Sequence, residues 1–275
     1  MLINNEIYLQ FNTMQKRDST EILKEYSKFF HWTENEAVLD VGCGPGDVTT
    51  ELLLPLLSDT SHLIGLDIDP SNIEYAKEKY SDKRLSFITA DFGNKNITEI
   101  LQKRTFTKIY SFYCLHWISD QKQVATNLCS LLQPGGQVLA IIMADTHAFT
   151  IYKALSEMEK WKPYMQDVDK FISPYFNIPD TKQMVLDIFS AAGLVVKNYE
   201  KRECHFTFPS FECQLDSFRA VNPFFKRIPD DLKAEFLEIV KQLLIRFQNV
   251  QSKSIEENLP TTCFYKLIIL SLYKP

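Results

Sequence analysis

Three glycines within five residues, directly after a short apolar run, constrain this chain more than any other feature. The run Ala37–Val41 has the length of one buried strand, and residues 42–46 (GCGPG) follow it. Only eight of the 275 residues are glycine, so composition alone does not explain this density. A glycine-rich turn between a strand and a helix lets a ligand approach the backbone closely, because side chains are absent. The turn therefore predicts a site for a nucleotide-like ligand.

Apolar runs of strand length alternate with stretches of helical spacing in the first half of the chain. Strands are predicted at residues 37–41, 62–67, 85–90, 108–112 and 137–143, and helices at residues 18–31, 47–57, 71–80 and 122–132. Asp18 or Ser19 is expected to cap the first helix, and residues 134–136 (PGG) to close the last. Alternating strands and helices predict an α/β fold, with a parallel sheet covered by helices on both faces.

The pattern changes after residue 145. Helices are predicted at residues 149–161, 181–192 and 230–250, two strand-like stretches within 194–208, and a last strand at 263–272. We expect one domain over residues 1–275, with an N-terminal helical cap at about 1–31 and a helical insertion at about 209–260. The insertion is expected to act as a lid near residues 220–225, where Pro223 rules out a regular helix.

Carboxylates stand at the ends of successive predicted strands. Asp67 lies 21 residues past Gly46 and ends the second strand, and Asp91 follows the third. The carboxyl ends of parallel strands form the usual ligand crevice of such sheets. There Asp67 can accept both ribose hydroxyls of an adenosine, and Asp91 can accept the adenine amino group. Asp69 is instead expected to cap the helix that begins near Pro70.

Composition narrows the function classes. The net charge is −5 and no basic run is long enough to track a phosphate backbone, so a nucleic-acid partner is disfavoured. No signal peptide is visible and no apolar run approaches the ~20 residues that span a bilayer, so membrane insertion is not expected. Six cysteines without regular spacing are typical of reduced thiols, which predicts a cytoplasmic protein.

The turn and its two carboxylates resemble a known family. Residues 39–46 (LDVGCGPG), with Asp67 and Asp91 downstream, look like the class I S-adenosylmethionine-dependent methyltransferases. The resemblance implies a Rossmann-like sheet of seven strands whose last strand is antiparallel. It implies S-adenosyl-L-methionine as cofactor, S-adenosyl-L-homocysteine as product, and no metal. The cofactor-binding residues predicted on this basis are Asp40, Gly42, Gly44, Asp67, Ile68, Asp91 and Phe92.

A narrower resemblance runs along nearly the whole chain. Residues 15–18 (QKRD), 111–117 (SFYCLHW), 171–174 (FISP) and 220–224 (AVNPF) resemble the insect juvenile hormone acid O-methyltransferases. These enzymes methylate the carboxylate of a sesquiterpenoid acid, such as juvenile hormone acid or farnesoic acid. The resemblance implies that Gln15 and Trp117 hold the substrate carboxylate and act as the catalytic residues, with His116 also on the substrate side.

The residue types suit that role. The glutamine amide and the indole are neutral N–H donors that do not compete as nucleophiles. A carboxylate with a pKa near 4 to 5 is already ionised at pH 7, so it needs no general base. His116 could instead be the base for an alcohol or amine, although packing at a strand end is the preferred interpretation. Trp117 could be a core aromatic, and Gln15 taken alone would be an ordinary helix-surface residue.

Other functions stay open at this point. The enzyme could methylate another small acid, an amine or a hydroxyl, or the chain could be a non-catalytic ligand-binding paralogue. A nicotinamide dehydrogenase is the weakest alternative, because the glycines are spaced GxGxG and Asp47 would face a pyrophosphate unfavourably. The sequence decides neither the exact acid nor whether the protein is a monomer or a homodimer.

Overall fold

Seven strands form one mixed sheet in the order β3-β2-β1-β4-β5-β7-β6. The computed structural model describes residues 5–248 and 259–275. The strands are β1 (Ala37–Val41), β2 (His62–Asp67), β3 (Leu85–Thr89), β4 (Phe106–Phe112), β5 (Leu132–Thr146), β6 (Val195–Phe208) and β7 (Thr261–Tyr273). The predicted α/β fold with a seven-stranded sheet is confirmed.

Helices connect and flank the strands. They are α1 (Asn5–Phe11), α2 (Thr13–Tyr26), α3 (Pro70–Lys79), α4 (Ile97–Ile100), α5 (Gln121–Leu131), α6 (His147–Glu157), α7 (Thr181–Ala191), α8 (Phe211–Val221) and α9 (Lys233–Gln248). The helix predicted after the glycine turn is a π-helical turn, Thr49–Leu53, that tightens into a 3-10 turn, Leu54–Leu56. In the described part of the chain, none of the helices is long and apolar enough to cross a bilayer.

The chain divides into two compact units. The sheet unit comprises Gln15–Ile142, Asn177–Lys201 and Ile268–Pro275, and the aromatic unit comprises the other described residues. In the sheet unit β1 pairs in parallel with β2 and β4, so Leu39 lies opposite both Ile64 and Ile109. Leu39 and Ile109 are fully buried. Most side chains of β1 and β4 are buried, as expected where helices cover both faces of a parallel sheet.

The last strand runs antiparallel, as predicted. The N–H of Gly135, near the start of β5, donates to the carbonyl of Lys274, just after β7, at 2.8 Å. The N–H of Lys274 donates in return to the carbonyl of Gly136 at 3.0 Å. This reciprocal pair is the pattern of antiparallel strands. It also places residues 134–136 inside a strand, so the prediction that they close the preceding helix is wrong, and α5 ends at Leu131.

Two further predictions of local structure are corrected. Helix α2 begins at Thr13, so Asp18 and Ser19 lie within it and cap nothing. Asp18 is buried because its carboxylate accepts hydrogen bonds from Arg17 and Tyr113. Residues 195–208 form one strand of 14 residues and not two stretches. The predicted cap on α3 is confirmed, since Asp69 accepts from the N–H of Ser71.

The aromatic unit contains the helices of the predicted insertion. Helix α8 ends at Val221, as expected from the proline at position 223, and α9 follows before β7. Phe224 is fully buried, with its ring centre 5.4 Å from that of Tyr152 and 5.0 Å from that of Phe171. Helices α8 and α9 of the predicted insertion are thus described. Residues 1–4 of the predicted cap lie outside the described residues, as do residues 249–258, where the predicted long helix ends and the predicted insertion continues. The cap, the lid and the single domain stay predictions.

Candidate active site

The glycine turn is locked against its neighbours in the sheet unit. The N–H groups of Gly42 and Cys43 both donate to the carbonyl of Leu66, at 2.7 and 3.0 Å. Gly42 has a φ of +77°, and a Cβ there would lie 2.3 Å from the Cβ and Sγ atoms of Cys114. A side chain at this position would therefore strain the backbone and overlap Cys114 in the segment that follows β4. The tight turn predicted from the sequence is present.

Asp67 is held by three N–H donors at the end of β2. One carboxylate oxygen accepts from the N–H of Gly44 at 3.0 Å, and the other accepts from the N–H of Asp69 at 2.8 Å and the amide of Asn72 at 3.1 Å. Asp67 is half-buried. The contact with Gly44 joins the glycine turn to β2, so two predicted cofactor residues are brought together. A carboxylate has about four lone-pair sites, so acceptor capacity remains for a ligand.

Asp40 lies beneath the turn and is almost completely buried. Its carboxylate accepts a hydrogen bond from the hydroxyl of Thr49 at 2.6 Å. Burial raises the pKa of Asp40 to about 7, and the negative charges of Asp67 and Asp47 act in the same direction, whereas the Thr49 hydrogen bond opposes the shift. A like-charged cluster disfavours a second ionised carboxylate. Asp40 is thus buried next to the glycine turn, and its pKa depends on the charges of the groups around it.

The remaining predicted cofactor residues follow β2 and β3. Ile68 is 53% exposed. Asp91 is exposed and accepts from the N–H of Gly93 at 2.8 Å. Phe92 is buried, and its carbonyl accepts from the amide of Asn127 at 2.7 Å. Ile68 and Asp91 are open to a ligand, whereas the Phe92 ring belongs to the core and supports the loop.

The carboxylates converge on one thiol. Burial raises the pKa of Cys114, and the charges of Asp67, Asp40 and Asp91 raise it further. Cys114 follows β4, and because β1 to β4 pair in parallel, their carboxyl ends lie at one edge of the sheet, as the sequence predicted. The thiol stays protonated there, which makes it a packing residue against Gly42.

The residues predicted to hold the substrate lie on two elements of the sheet unit. Gln15 is in the first turn of α2, where it is half-buried, and its Oε1 is buried without a hydrogen-bond partner. Trp117 is half-buried and ends the 3-10 turn Leu115–Trp117, with its ring centre 4.8 Å from that of His116. His116 is only 3% exposed, and burial lowers its pKa to about 3. The imidazole is therefore neutral at physiological pH.

Sequence reasoning missed the side chains that support the site. Thr49 bonds to Asp40, Asn72 bonds to Asp67, and Asp18 bonds to Tyr113. Each is an ordinary polar residue on a helix, and nothing in its local pattern marks its partner. The signal that was available is position: Thr49 and Asn72 fall in the first turns of the helices that follow β1 and β2, where side chains reach back to the strand ends.

The acceptor groups at this edge fit the cofactor that the sequence predicts. S-adenosyl-L-methionine carries ribose hydroxyls, an adenine amino group and two positive charges, and the edge has the carboxylates of Asp40, Asp67 and Asp91. Asn72, whose amide N–H donates to Asp67, has a buried Oδ1 atom without a hydrogen-bond partner. A buried acceptor of this kind can take a donor from a bound ligand. Among the residues that the structure describes, His, Cys, Asp and Glu side chains form no group of three or more that could hold a metal ion.

Known proteins resemble this chain in sequence and in fold. Residues 33–194 match a family model described as a methyltransferase domain. The chain is 32% identical to the juvenile hormone acid O-methyltransferase of Drosophila melanogaster, covering 96% of this chain and 89% of the relative. It is 30% identical to the enzyme of the same name from Bombyx mori, covering 96% and 95%.

Solved structures share the fold. A Haemonchus contortus phosphoethanolamine N-methyltransferase 2, solved in complex with S-adenosyl-L-methionine, superposes with a TM-score of 0.53. The superposition covers 94% of this chain and 52% of that one, at 17% identity. At this level of identity the likeness supports the fold alone.

Proposed function

This chain is a methyltransferase of the family that includes the juvenile hormone acid O-methyltransferases, and on that premise we propose that it methylates the carboxylate of a small lipophilic acid. The proposed substrate class is the sesquiterpenoid acids, with juvenile hormone acid and farnesoic acid as examples. The proposed methyl donor is S-adenosyl-L-methionine, bound by the predicted cofactor residues. The product would be the methyl ester.

The state of His116 carries the proposal. An alcohol or ammonium substrate needs a base that removes a proton, and the imidazole beside Trp117 has a pKa of about 3 because of burial. So weak a base is poorly matched to reactions at neutral pH. A carboxylate is ionised already and needs no proton transfer. The same reasoning removes the need for a metal, since no nucleophile has to be activated.

The residues then have a positioning task. When bound, the cofactor supplies an electrophilic methyl group on its sulfonium. Gln15 Nε2 and the Trp117 indole N–H donate to the carboxylate and orient one oxygen for attack. Neutral donors restrain the oxygen and leave its negative charge largely intact, whereas an arginine would compensate that charge. Holding two reactants in line supplies roughly 7–11 kcal/mol of the barrier reduction.

The acyl chain would bind by apolar burial. At ~0.8 kcal/mol per buried CH₂, a terpenoid chain offers on the order of 10 kcal/mol before entropy losses. Phe149, Tyr152 and Trp161 are at most 2% exposed and form the core of the aromatic unit, so we do not assign them to substrate binding.

The test is a panel of radiolabelled methyl-transfer assays with farnesoid acids, other small acids, phenols and amines. We expect ester formation from the farnesoid acids only. Gln15→Leu and Trp117→Phe should each lower kcat/KM by roughly 10- to 100-fold, the range of about 1–3 kcal/mol for a lost donor, while cofactor affinity is kept. Gln183→Leu, on the exposed face of α7, is the matched control and should keep full activity.

Other outcomes have distinct meanings. Full activity of both variants would disprove the carboxylate-holding role. Turnover of amines or phenols without turnover of acids would favour the alternative chemistry and return His116 to consideration as a base. Tight binding of an acid without any methyl transfer would indicate a non-catalytic paralogue.

A further inference from the structure

Tyr113 and Asp18 connect the two elements that carry the proposed carboxylate donors. The phenol of Tyr113 donates to Asp18 Oδ2 at 2.5 Å, across 95 residues of sequence. Asp18 lies three residues after Gln15 on α2, and Tyr113 lies four residues before Trp117. The hydrogen bond therefore joins helix α2 to the segment that leads into the 3-10 turn, within a few residues of both donors.

The helix side of this contact is rigid. Residues three apart share a helix face, so Gln15 and Asp18 point the same way from α2. That face continues through Ile22 and Tyr26, which are buried. Asp18 is only 4% exposed, and its other oxygen, Oδ1, accepts from Arg17 Nε at 2.9 Å and Nη2 at 2.6 Å. Each carboxylate oxygen thus has its own donor, and the charge is compensated by Arg17.

The turn side is held in an unusual conformation. Tyr113 has a φ of +58°, which non-glycine residues adopt at a cost of about 1 kcal/mol or more. Its N–H donates to the carbonyl of Ile141 at 2.9 Å. The turn beyond it is braced by Gln121, whose amide donates to the carbonyls of Leu115 and Ile118 at 2.8 and 2.6 Å. The position of Trp117 is therefore determined by these hydrogen bonds and not by the backbone preferences of the residues in the turn.

We propose that the Tyr113–Asp18 hydrogen bond is a positioning contact, which fixes the separation of Gln15 and Trp117 and so the place where the substrate carboxylate binds. The inference rests on the proposed function. Neither residue has to touch the substrate. Without the bond, fewer molecules present both donors at the right separation, and the apparent affinity for the acid falls by that fraction. Cofactor binding does not depend on this contact, and molecules that have bound the acid react normally.

Tyr113→Phe tests the contact directly, because it removes the hydroxyl and keeps the ring. We expect KM for the acid to rise about tenfold, with kcat and the dissociation constant of S-adenosyl-L-methionine within twofold of the unmodified enzyme. Tyr26→Phe is the matched control. Tyr26 lies on the same helix, and its substitution removes a part-buried hydrogen bond to Glu200 at 2.8 Å and one from Asn198 at 2.6 Å. It is far along α2 from Gln15. This control should leave KM unchanged.

Substitutions at Asp18 complete the test. Asp18→Ala should raise KM at least as much as Tyr113→Phe, because it also removes the acceptor of Arg17, and adding Tyr113→Phe to it should raise KM no further, because the contact is already absent. Asp18→Asn should restore a KM near that of the unmodified enzyme, since the amide can accept from Arg17 and donate to the Tyr113 oxygen. An unchanged KM in Tyr113→Phe, an equal rise in Tyr26→Phe, or additive effects in the double variant would overturn the proposal.

A readout without turnover separates this inference from the proposed function. Hydrogen exchange of the amides of residues 113–118 should quicken in Tyr113→Phe and not in Tyr26→Phe, whatever the substrate is. If the unmodified enzyme methylates no acid but exchange changes as expected, the proposed function fails and the contact stands. If acids are methylated while both KM and exchange are unaffected by Tyr113→Phe, the contact fails and the function stands.

Discussion

The two ends of strands β1 and β4 both bury charge in the sheet unit, but in opposite ways. At the amino end, Lys108 Nζ lies 2.6 Å from Glu36 Oε1, and both side chains are at most 3% exposed. Lys108 also lies 4.8 Å from the centre of the Trp32 ring. At the carboxyl end, Asp40 is buried among carboxylates, with Thr49 as the neutral donor that bonds to it.

The pKa directions show what the difference means. Burial would raise the pKa of Glu36, but hydrogen bonds from Lys108, Thr107 and Thr33 lower it below its usual value. Burial lowers the pKa of Lys108, and the hydrogen bond and charge of Glu36 oppose that shift. Burial raises the pKa of Asp40 to about 7, and none of the groups that shift this pKa is a cation. The Glu36–Lys108 ion pair links the residue that precedes β1 to strand β4. The Asp40 carboxylate has no such partner among the groups that shift its pKa, so its charge can be compensated by a cationic cofactor.

Breaking the paired end should have the largest effect. Lys108→Met leaves Glu36 ionised, buried and unpaired, and we expect a loss of about 3–5 kcal/mol in the free energy of unfolding. Urea unfolding at pH 7 measures it. The double variant Glu36→Gln with Lys108→Met should recover much of the loss, because no buried charge remains. A loss below about 1 kcal/mol in the single variant would show that the pair contributes nothing of this kind.

The uncompensated end should appear as a pH dependence of stability. The pKa of Asp40 is about 7 in the folded state and about 3.9 in the unfolded chain, so the folded state binds the extra proton between these values. The stability that Asp40 contributes therefore falls as pH rises from about 4 to 7, and this opposes the rise that the buried, neutral His116 causes over much of the same range. Asp40→Asn should abolish this slope, a difference on the order of 4 kcal/mol at pH 8.

Urea unfolding at several pH values checks this expectation. Asp59→Asn, at a carboxylate whose side chain is 86% exposed, is the control and should keep the slope. Saturating S-adenosyl-L-methionine should flatten the slope of the unmodified protein, because its positive charge compensates Asp40. Parallel stability profiles for Asp40→Asn and the unmodified protein would contradict the picture of an uncompensated carboxylate.

Removing the neutral donor at the same end should have the smallest effect. Thr49→Val keeps the shape of the side chain but takes the hydroxyl from Asp40, which raises the pKa of Asp40 further. We expect a cost of about 1–3 kcal/mol at pH 8, where Asp40 is ionised, and a smaller cost at pH 5. Thr49→Ser retains the hydroxyl and should behave like the unmodified protein. Equal costs at both pH values would show that the loss comes from packing.

Local pattern predicted most of the fold. The strands β1 and β2 were predicted with their observed bounds, because an apolar run between turn residues defines a buried strand. The errors lie where tertiary contacts override local preference. Residues 134–136 look like a helix stop, yet pairing with Lys274 draws them into β5. Asp18 looks like a helix cap, yet Tyr113 and Arg17 bury it within α2.

By itself, the sequence determined the sheet, the glycine turn and the acidic residues at the strand ends, because spacing along the chain is enough to place them. A resemblance to known enzymes added Gln15, Trp117 and His116. Only the tertiary structure decided the state of those groups. It made His116 a neutral, buried imidazole, raised the pKa of Asp40 and joined Tyr113 to Asp18. Burial and the sign of neighbouring charges are properties of surroundings, which come from residues far apart in the chain.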